Sequence, residues 1–145
     1  MKRRAFLQSS AAMAAMAATP ALMTATPSFA ATGVDYKPGL VQKELDAGKT
    51  VFVDFWTHWC VTCRAQGRAI SSILSENPAY QKNISFVVVD WDKYANSELS
   101  KRLNIPRRST LVVLKGDQEL GRLVARTSKR DIKALLDTAL EAATA

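Results

Sequence analysis

The apolar run Val51-Phe52-Val53-Asp54-Phe55-Trp56 leads directly into Trp59-Cys60-Val61-Thr62-Cys63, and the chain of 145 residues holds no other cysteine. A run this apolar suits a strand buried on both faces. Behind it Cys63, Gly67, Ile70 and Leu74 recur at helical spacing, while Arg64, Arg68, Ser71 and Ser75 fall where water would be. The two cysteines therefore sit where a buried strand hands over to an amphipathic helix. With no third thiol, neither is needed for a bridge elsewhere, and the pair is free to cycle between dithiol and disulfide.

The rest of the chain fills in one domain around that junction. Leu40, Val41 and Leu45 predict a helix over 38–47, stopped by Gly48. The strand covers 50–56 and the helix 60–75; Pro78 opens a short helical turn, and 84–89 is a second buried strand. Asn96 is expected to cap a short helix through Leu103. Residues 110–114 and 119–125 read as two further strands joined by Gly116-Asp117 in a hairpin, the last one alternating more clearly. Ser128-Lys129-Arg130-Asp131 has the form of a capping box and opens a helix whose Ile132, Leu135, Leu136, Ala139 and Leu140 share one face. Two strand-helix-strand crossovers and a closing hairpin give an α/β fold, a central four-stranded mixed sheet with helices on both faces.

Residues 1–30 stand apart as an export signal, leaving 31–145 as the folded domain. Arg3-Arg4 precede Phe6-Leu7, an alanine- and methionine-rich stretch follows, and Ser28-Phe29-Ala30 has the small-x-small form of a cleavage site. The segment resembles a twin-arginine signal; Lys2, where a serine or threonine is usual, leaves the general secretory route open. Either route ends outside the cytoplasm, in the periplasm. An uncleaved anchor is the competing reading, but Gln8, Ser9, Ser10, Thr19 and Thr24 interrupt any apolar run of the roughly 20 residues needed to span a bilayer. Removing Lys2, Arg3 and Arg4 lowers the formal charge from +7 to +4. The remaining basic residues are interspersed with acids, which argues against nucleic acid as a partner.

The placement of the cysteines implies their chemistry. A thiolate is the attacking species, and a helix N-terminus offers free N–H groups and the positive end of the macrodipole to hold it. Cys60 is at that position and is expected to attack with an exposed sulfur. Cys63, one turn on along the same face, is expected to resolve the mixed disulfide. Arg64 and Arg68 can add positive potential if they point that way. Val61-Thr62 between the cysteines does not reveal the redox direction. Asp54 interrupts the apolar strand and is read as a buried carboxylate, its pKa raised, that exchanges a proton with Cys63; the competing reading is an acid satisfied by a local hydrogen bond or a lysine. Trp59 is assigned to the docking surface, whereas Trp56 is equally well explained by packing.

At these residues the chain resembles the thioredoxin superfamily, over most of 31–145. Val53-Asp54-Phe55-Trp56, Trp59-Cys60-x-x-Cys63, Asp92 after the second strand, the 110–114 strand, the Gly116-Asp117 turn and the closing helix carry the likeness. The Trp-Cys-Val-x-Cys form and the Asn77-Pro78 segment are similar to the periplasmic thioredoxin-like domain of membrane thiol-disulfide interchange proteins. The resemblance implies a monomer without cofactor that reduces or exchanges protein disulfides outside the cytoplasm, with a membrane electron-donor protein as its partner. One departure stands out. The family places a cis-proline just before the threonine of the third strand, and here that position is Ser109; Pro106, three residues earlier, does not replace it. A cis bond before a non-proline residue costs about 2.5 to 4 kcal/mol, so a trans Arg108–Ser109 bond is expected. Ser109 then offers a hydroxyl and an N–H near the sulfurs, and Arg107 and Arg108 offer charge. These residues either tune client binding and thiolate stability or are a simple loop substitution.

Two other classes compete. His58, Cys60 and Cys63 can supply three ligands to a soft cation such as Cu(I), though a closed zinc site needs a fourth. A non-catalytic adaptor would use the fold alone, and would tolerate loss of Cys60. A heme-maturation reductase is a narrower form of the redox reading; the insertions or anchors usual in such proteins are not evident.

Overall fold

The computed structural model describes residues 32–145; the expected export signal over residues 1–30 lies outside the described residues. Eleven elements follow in the order β1 (Val34–Asp35), α1 (Leu40–Asp46), β2 (Thr50–Trp56), α2 (Val61–Glu76), α3 (Ala79–Asn83), β3 (Ile84–Asp90), α4 (Trp91–Tyr94), α5 (Glu98–Arg102), β4 (Thr110–Lys115), β5 (Gln118–Val124) and α6 (Lys129–Thr144). The sheet runs β1-β3-β2-β4-β5. β2 lies at its centre, parallel to β3 and antiparallel to β4. That position explains the near-continuous apolar character of β2, since both its faces and both its edges are covered.

Side chains of β2 alternate between two cores. Phe52, with Leu111 and Val113 of β4, meets Ile70 and Ile73 of α2 and Ile132 and Leu136 of α6. Val51, Val53 and Phe55 point the other way, toward Val41 and Leu45 of α1 and Leu99 of α5. Burying each such side chain contributes about 1.5–3 kcal/mol, so the α2–α6 layer holds the start of α2 firmly against the sheet. By the same alternation Asp54 shares the face of Phe52 and lies under the α2 layer.

The expected mixed sheet with helices on both faces is present, with differences of detail. A fifth strand, β1, adds Val34 and Asp35 at the edge beside β3, pairing through its backbone while its side chains stay exposed. Ser97, not Asn96, caps the helix before Leu103: its Oγ accepts the Ser100 N–H at 3.2 Å. An additional turn, α4, is capped by Asp90, whose carboxylate accepts the Asp92 N–H at 3.0 Å. β5 shows no clear alternation, because it is an edge strand, mostly half-buried under α6 and bulged opposite Val113/Leu114. The Ser128 cap forms as the sequence predicts, its hydroxyl accepting the Asp131 N–H.

Candidate active site

The strand-to-helix junction fixes the cysteine pair. Cys60 is the N-cap of α2, with extended backbone, and its N–H donates to the Thr57 carbonyl at 3.3 Å. Its Sγ accepts the Cys63 N–H at 3.1 Å, one of the otherwise orphaned donors of the first turn. The two Cα atoms are 5.2 Å apart and the sulfurs are in disulfide range. Cys60 is 4% exposed and Cys63 fully buried. The attacking sulfur is thus less open than the sequence leads one to expect, because the loop before β4 packs over it. Cys60 is nonetheless the more accessible of the two.

Ser109 forms that cover. Its Oγ is 3.1 Å from Sγ of Cys60 and 3.1 Å from Sγ of Cys63. No cis peptide bond occurs among the described residues, so Arg108–Ser109 is trans. Ser109 instead has φ 62°, a left-handed conformation uncommon for a residue with a side chain. Its backbone is held on both sides: the N–H donates to Phe55 at 2.7 Å, and the carbonyl accepts from the Ala125 N–H at 2.8 Å and from Gln66 Nε2 at 3.1 Å.

Gln66 is the site residue that sequence reasoning missed. The apolar spacing pointed to Gly67 as the inward position, but Gly67 is half-buried and Gln66 is wholly buried. Its amide spans the loop before β4 and the strand end beyond β5, donating to Ser109 and, at 2.9 Å, to the Arg126 carbonyl. The available signal was its position three residues after Cys63 on the inner face of the helix.

Asp54 is 2% exposed, and neither of its carboxylate oxygens meets a hydrogen-bonding group. Burial without a partner disfavours the charged form and raises its pKa from 3.8 to about 7. The local hydrogen bond or lysine of the competing reading is not there. A carboxyl poised near neutrality under the helix that carries both cysteines is suited to exchange a proton at working pH.

Trp59 stands 48% exposed at the rim, and Val61 beside it 70%. The Trp59 indole N–H donates to Asp92 at 2.7 Å, and the Arg108 guanidinium lies 4.1 Å from the ring centroid. Arg64 turns back to donate to the His58 carbonyl at 3.0 Å, and Arg68 is exposed. Among the described residues no group of three His, Cys, Asp or Glu side chains is gathered as a metal site. A cavity of about 690 Å³ between α1, the turn after α5 and the β4–β5 hairpin includes none of the site residues.

A cysteine pair at a helix N-terminus, covered by a loop, next to an aromatic rim and with a buried carboxyl beneath, defines a thiol-disulfide oxidoreductase. Comparison with known proteins gives the family. Residues 35–138 match the Thioredoxin family. Thioredoxin 1 of Nostoc sp. is 29% identical over 96 residues, 66% of this chain and 85% of that protein. A thioredoxin of Aspergillus fumigatus is 30% identical over 97 residues, 67% of this chain and 84% of that one. Among solved structures, Trxlp from Edwardsiella tarda superposes with a TM-score of 0.61 at 25% identity, covering 71% of this chain and 98% of that chain. The chain belongs to the thioredoxin family, and protein disulfides are the substrates that family membership implies.

Proposed function

We propose that this protein is an exported thioredoxin-like reductase that transfers two electrons from its Cys60/Cys63 dithiol to client disulfides outside the cytoplasm. The observation that carries the proposal is the N-cap geometry of Cys60, whose sulfur accepts the Cys63 N–H where the helix favours negative charge. Cys60 thiolate attacks one sulfur of the client disulfide; a mixed disulfide forms and the other client sulfur leaves as a thiolate. Cys63 gives up its proton, with the Asp54 carboxylate as acceptor, and attacks Sγ of Cys60. The second client thiolate leaves and the Cys60–Cys63 disulfide closes; the client has gained two electrons, and its two thiolates take up one proton by way of Asp54 and one from solvent.

Trp59 and Arg108 form the surface on which the client docks, with Ser109 buried beneath it against the sulfurs. A protein client suits a site at an exposed aromatic rim, Trp59 being 48% exposed. The export assignment rests on Arg3-Arg4 and the Ser28-Phe29-Ala30 cleavage pattern. An exported reductase needs its dithiol restored from inside the cell, which makes a membrane protein presenting a dithiol the electron donor. The enzyme works as a monomer.

The reduction potential of the pair tests the direction of transfer. Equilibration in dithiothreitol or glutathione buffers, read by Trp59 fluorescence, is expected to give a value near the about −270 mV of a reductant. A value near about −120 mV would make the protein a disulfide donor and overturn the reductase assignment. Fractionation of cells expressing the full chain tests export: the product belongs in the periplasmic fraction, shortened after Ala30.

A further inference from the structure

Resting on the redox reading above, we propose that the Ser109 hydroxyl is a catalytic hydrogen-bond donor shared by the two sulfurs, stabilising the thiolate first on Cys60 and then on Cys63, and that Gln66 is the residue that positions it.

Ser109 Oγ is equidistant, at 3.1 Å, from the two reacting sulfurs. Ser109 is fully buried, and the sulfurs are the hydrogen-bonding partners of its hydroxyl. A hydroxyl carries one proton and two lone pairs, so it can donate to one sulfur while it accepts from the other. In the reduced protein the favourable ordering is Cys63 S–H to Ser109 Oγ, and Ser109 O–H to the Cys60 thiolate. That thiolate then has two donors, the hydroxyl and the Cys63 N–H.

When Cys60 attacks, its sulfur becomes a neutral member of the mixed disulfide and a poorer acceptor. The charge next develops on Cys63 as its proton leaves for Asp54 or solvent. A rotation about the Ser109 Cβ–Oγ bond re-aims the same proton at that sulfur, with no movement of heavy atoms. Ser109 is neither consumed nor ionised; two electrons pass to the client as before, and the client thiolates take their protons from Asp54 and solvent. The donor is preorganised where charge forms, which makes it effective in a buried site.

The backbone of Ser109 supports this reading independently. A non-glycine residue at φ 62° is strained, and such strain persists where the surroundings over-determine it. Three hydrogen bonds do so here: to Phe55, from Ala125 and from Gln66. Gln66 is the side-chain member of that set, extended from α2 one turn beyond Cys63. It ties the hydroxyl's carrier to the helix that carries the sulfurs, so donor and acceptors move as one body.

Ser109→Ala removes the hydroxyl and keeps the side-chain strain; Ser109→Gly removes the hydroxyl and relieves the strain. Both are titrated as the full folded domain by ultraviolet thiolate absorbance, and their potentials are measured above the Cys60 midpoint. Loss of a hydrogen bond to a charged sulfur is expected to move the thiolate midpoint up by about one pH unit in both variants. The equilibrium with glutathione then shifts about tenfold toward the disulfide, about 30 mV more negative. Gln66→Leu is expected to move both quantities in the same direction by less. If the Ala and Gly variants both keep the wild-type midpoint and potential, Ser109 is only a loop residue and the proposal falls. The titration needs no client, so it decides the role of Ser109 even if the wild-type protein fails to reduce a client disulfide, a result that would sink the reductase reading instead.

Discussion

The Arg108 guanidinium lies 4.1 Å from the centroid of the Trp59 ring, so the two residues flanking the dithiol in space form one surface with an aromatic body and a cationic cap. Trp59 is fixed from below by its bond to Asp92, and the Nε of Arg108 is buried without a hydrogen-bond partner, leaving the ring as what holds it. A client with acidic residues beside its disulfide matches this charge. Arg108→Glu is predicted to raise the KM for such a client roughly tenfold at low salt, since one attractive exposed contact of up to about 1 kcal/mol is replaced by a repulsive one. The effect should shrink in high salt, and kcat should change little. Steady-state reduction at two ionic strengths checks this; equal KM values for variant and wild type at low salt would remove Arg108 from the docking surface.

The difference in access between the cysteines predicts which variant traps a client. Cys63→Ser leaves the thiolate of Cys60 able to attack and removes the sulfur that resolves the product, so mixed disulfides should accumulate. Cys60→Ser leaves only the fully buried Cys63, and should accumulate none. Non-reducing gels of each variant with an oxidised client separate the two, and trapping through Cys63 would reverse the assigned roles.

Gly33 controls how β1 joins the sheet. Its φ of 148° lies where side chains are rarely found, and a Cβ built there would stand 2.8 Å from the Phe86 carbonyl oxygen. The strand that follows is short, and Tyr36 beyond it is buried, donating its N–H to Val88 at 2.8 Å. Gly33→Ala is predicted to cost about 1–3 kcal/mol in urea unfolding while leaving the dithiol potential unchanged. A potential that moved with it would mean that β1 is coupled to the site.

What the sequence made legible was local. β2, α2 and α6 could be read because a buried run, a helical stripe and the Ser128 capping box each lie within one segment. β1 could not, since Val34 and Asp35 keep exposed side chains and pair only through the backbone. Of the site, Cys60, Cys63 and the carboxyl of Asp54 stand out as chemistry in one short stretch. The Trp59–Asp92 bond depends on the parallel pairing of Trp56 with Asp90, which delivers the two chain segments to one edge. Gln66 breaks the apolar stripe of its own helix, and its reason is a carbonyl in another element. The left-handed backbone of Ser109 is likewise imposed by Phe55, Ala125 and Gln66 rather than by its own preference.

Asp54 is predicted to make both stability and turnover depend on pH, in opposite senses. Burial raises its pKa from 3.8 to about 7, so between those values the folded protein holds a proton that the unfolded chain has lost. Its contribution to stability is therefore fully present below about pH 4 and is lost as pH rises through 7. The full shift corresponds to roughly 4 kcal/mol between those limits. Asp54→Asn keeps a neutral group of the same shape and cannot ionise, so it is predicted to flatten this dependence and to be the more stable protein at pH 8 by a few kcal/mol, a fraction of that limit. Turnover runs the other way. If Asp54 takes the Cys63 proton it must do so ionised, so resolution in the wild type is predicted to accelerate through pH 7. In Asp54→Asn resolution should be slower by about 10²–10⁴-fold, the usual contribution of a positioned base, with the inflection near 7 gone. Urea unfolding and single-turnover resolution, each followed from pH 5 to pH 9 as experimental limits of about four pH units, check the two arms separately. A variant with wild-type resolution but a flattened stability profile would leave Asp54 as a buried acid without a part in proton transfer.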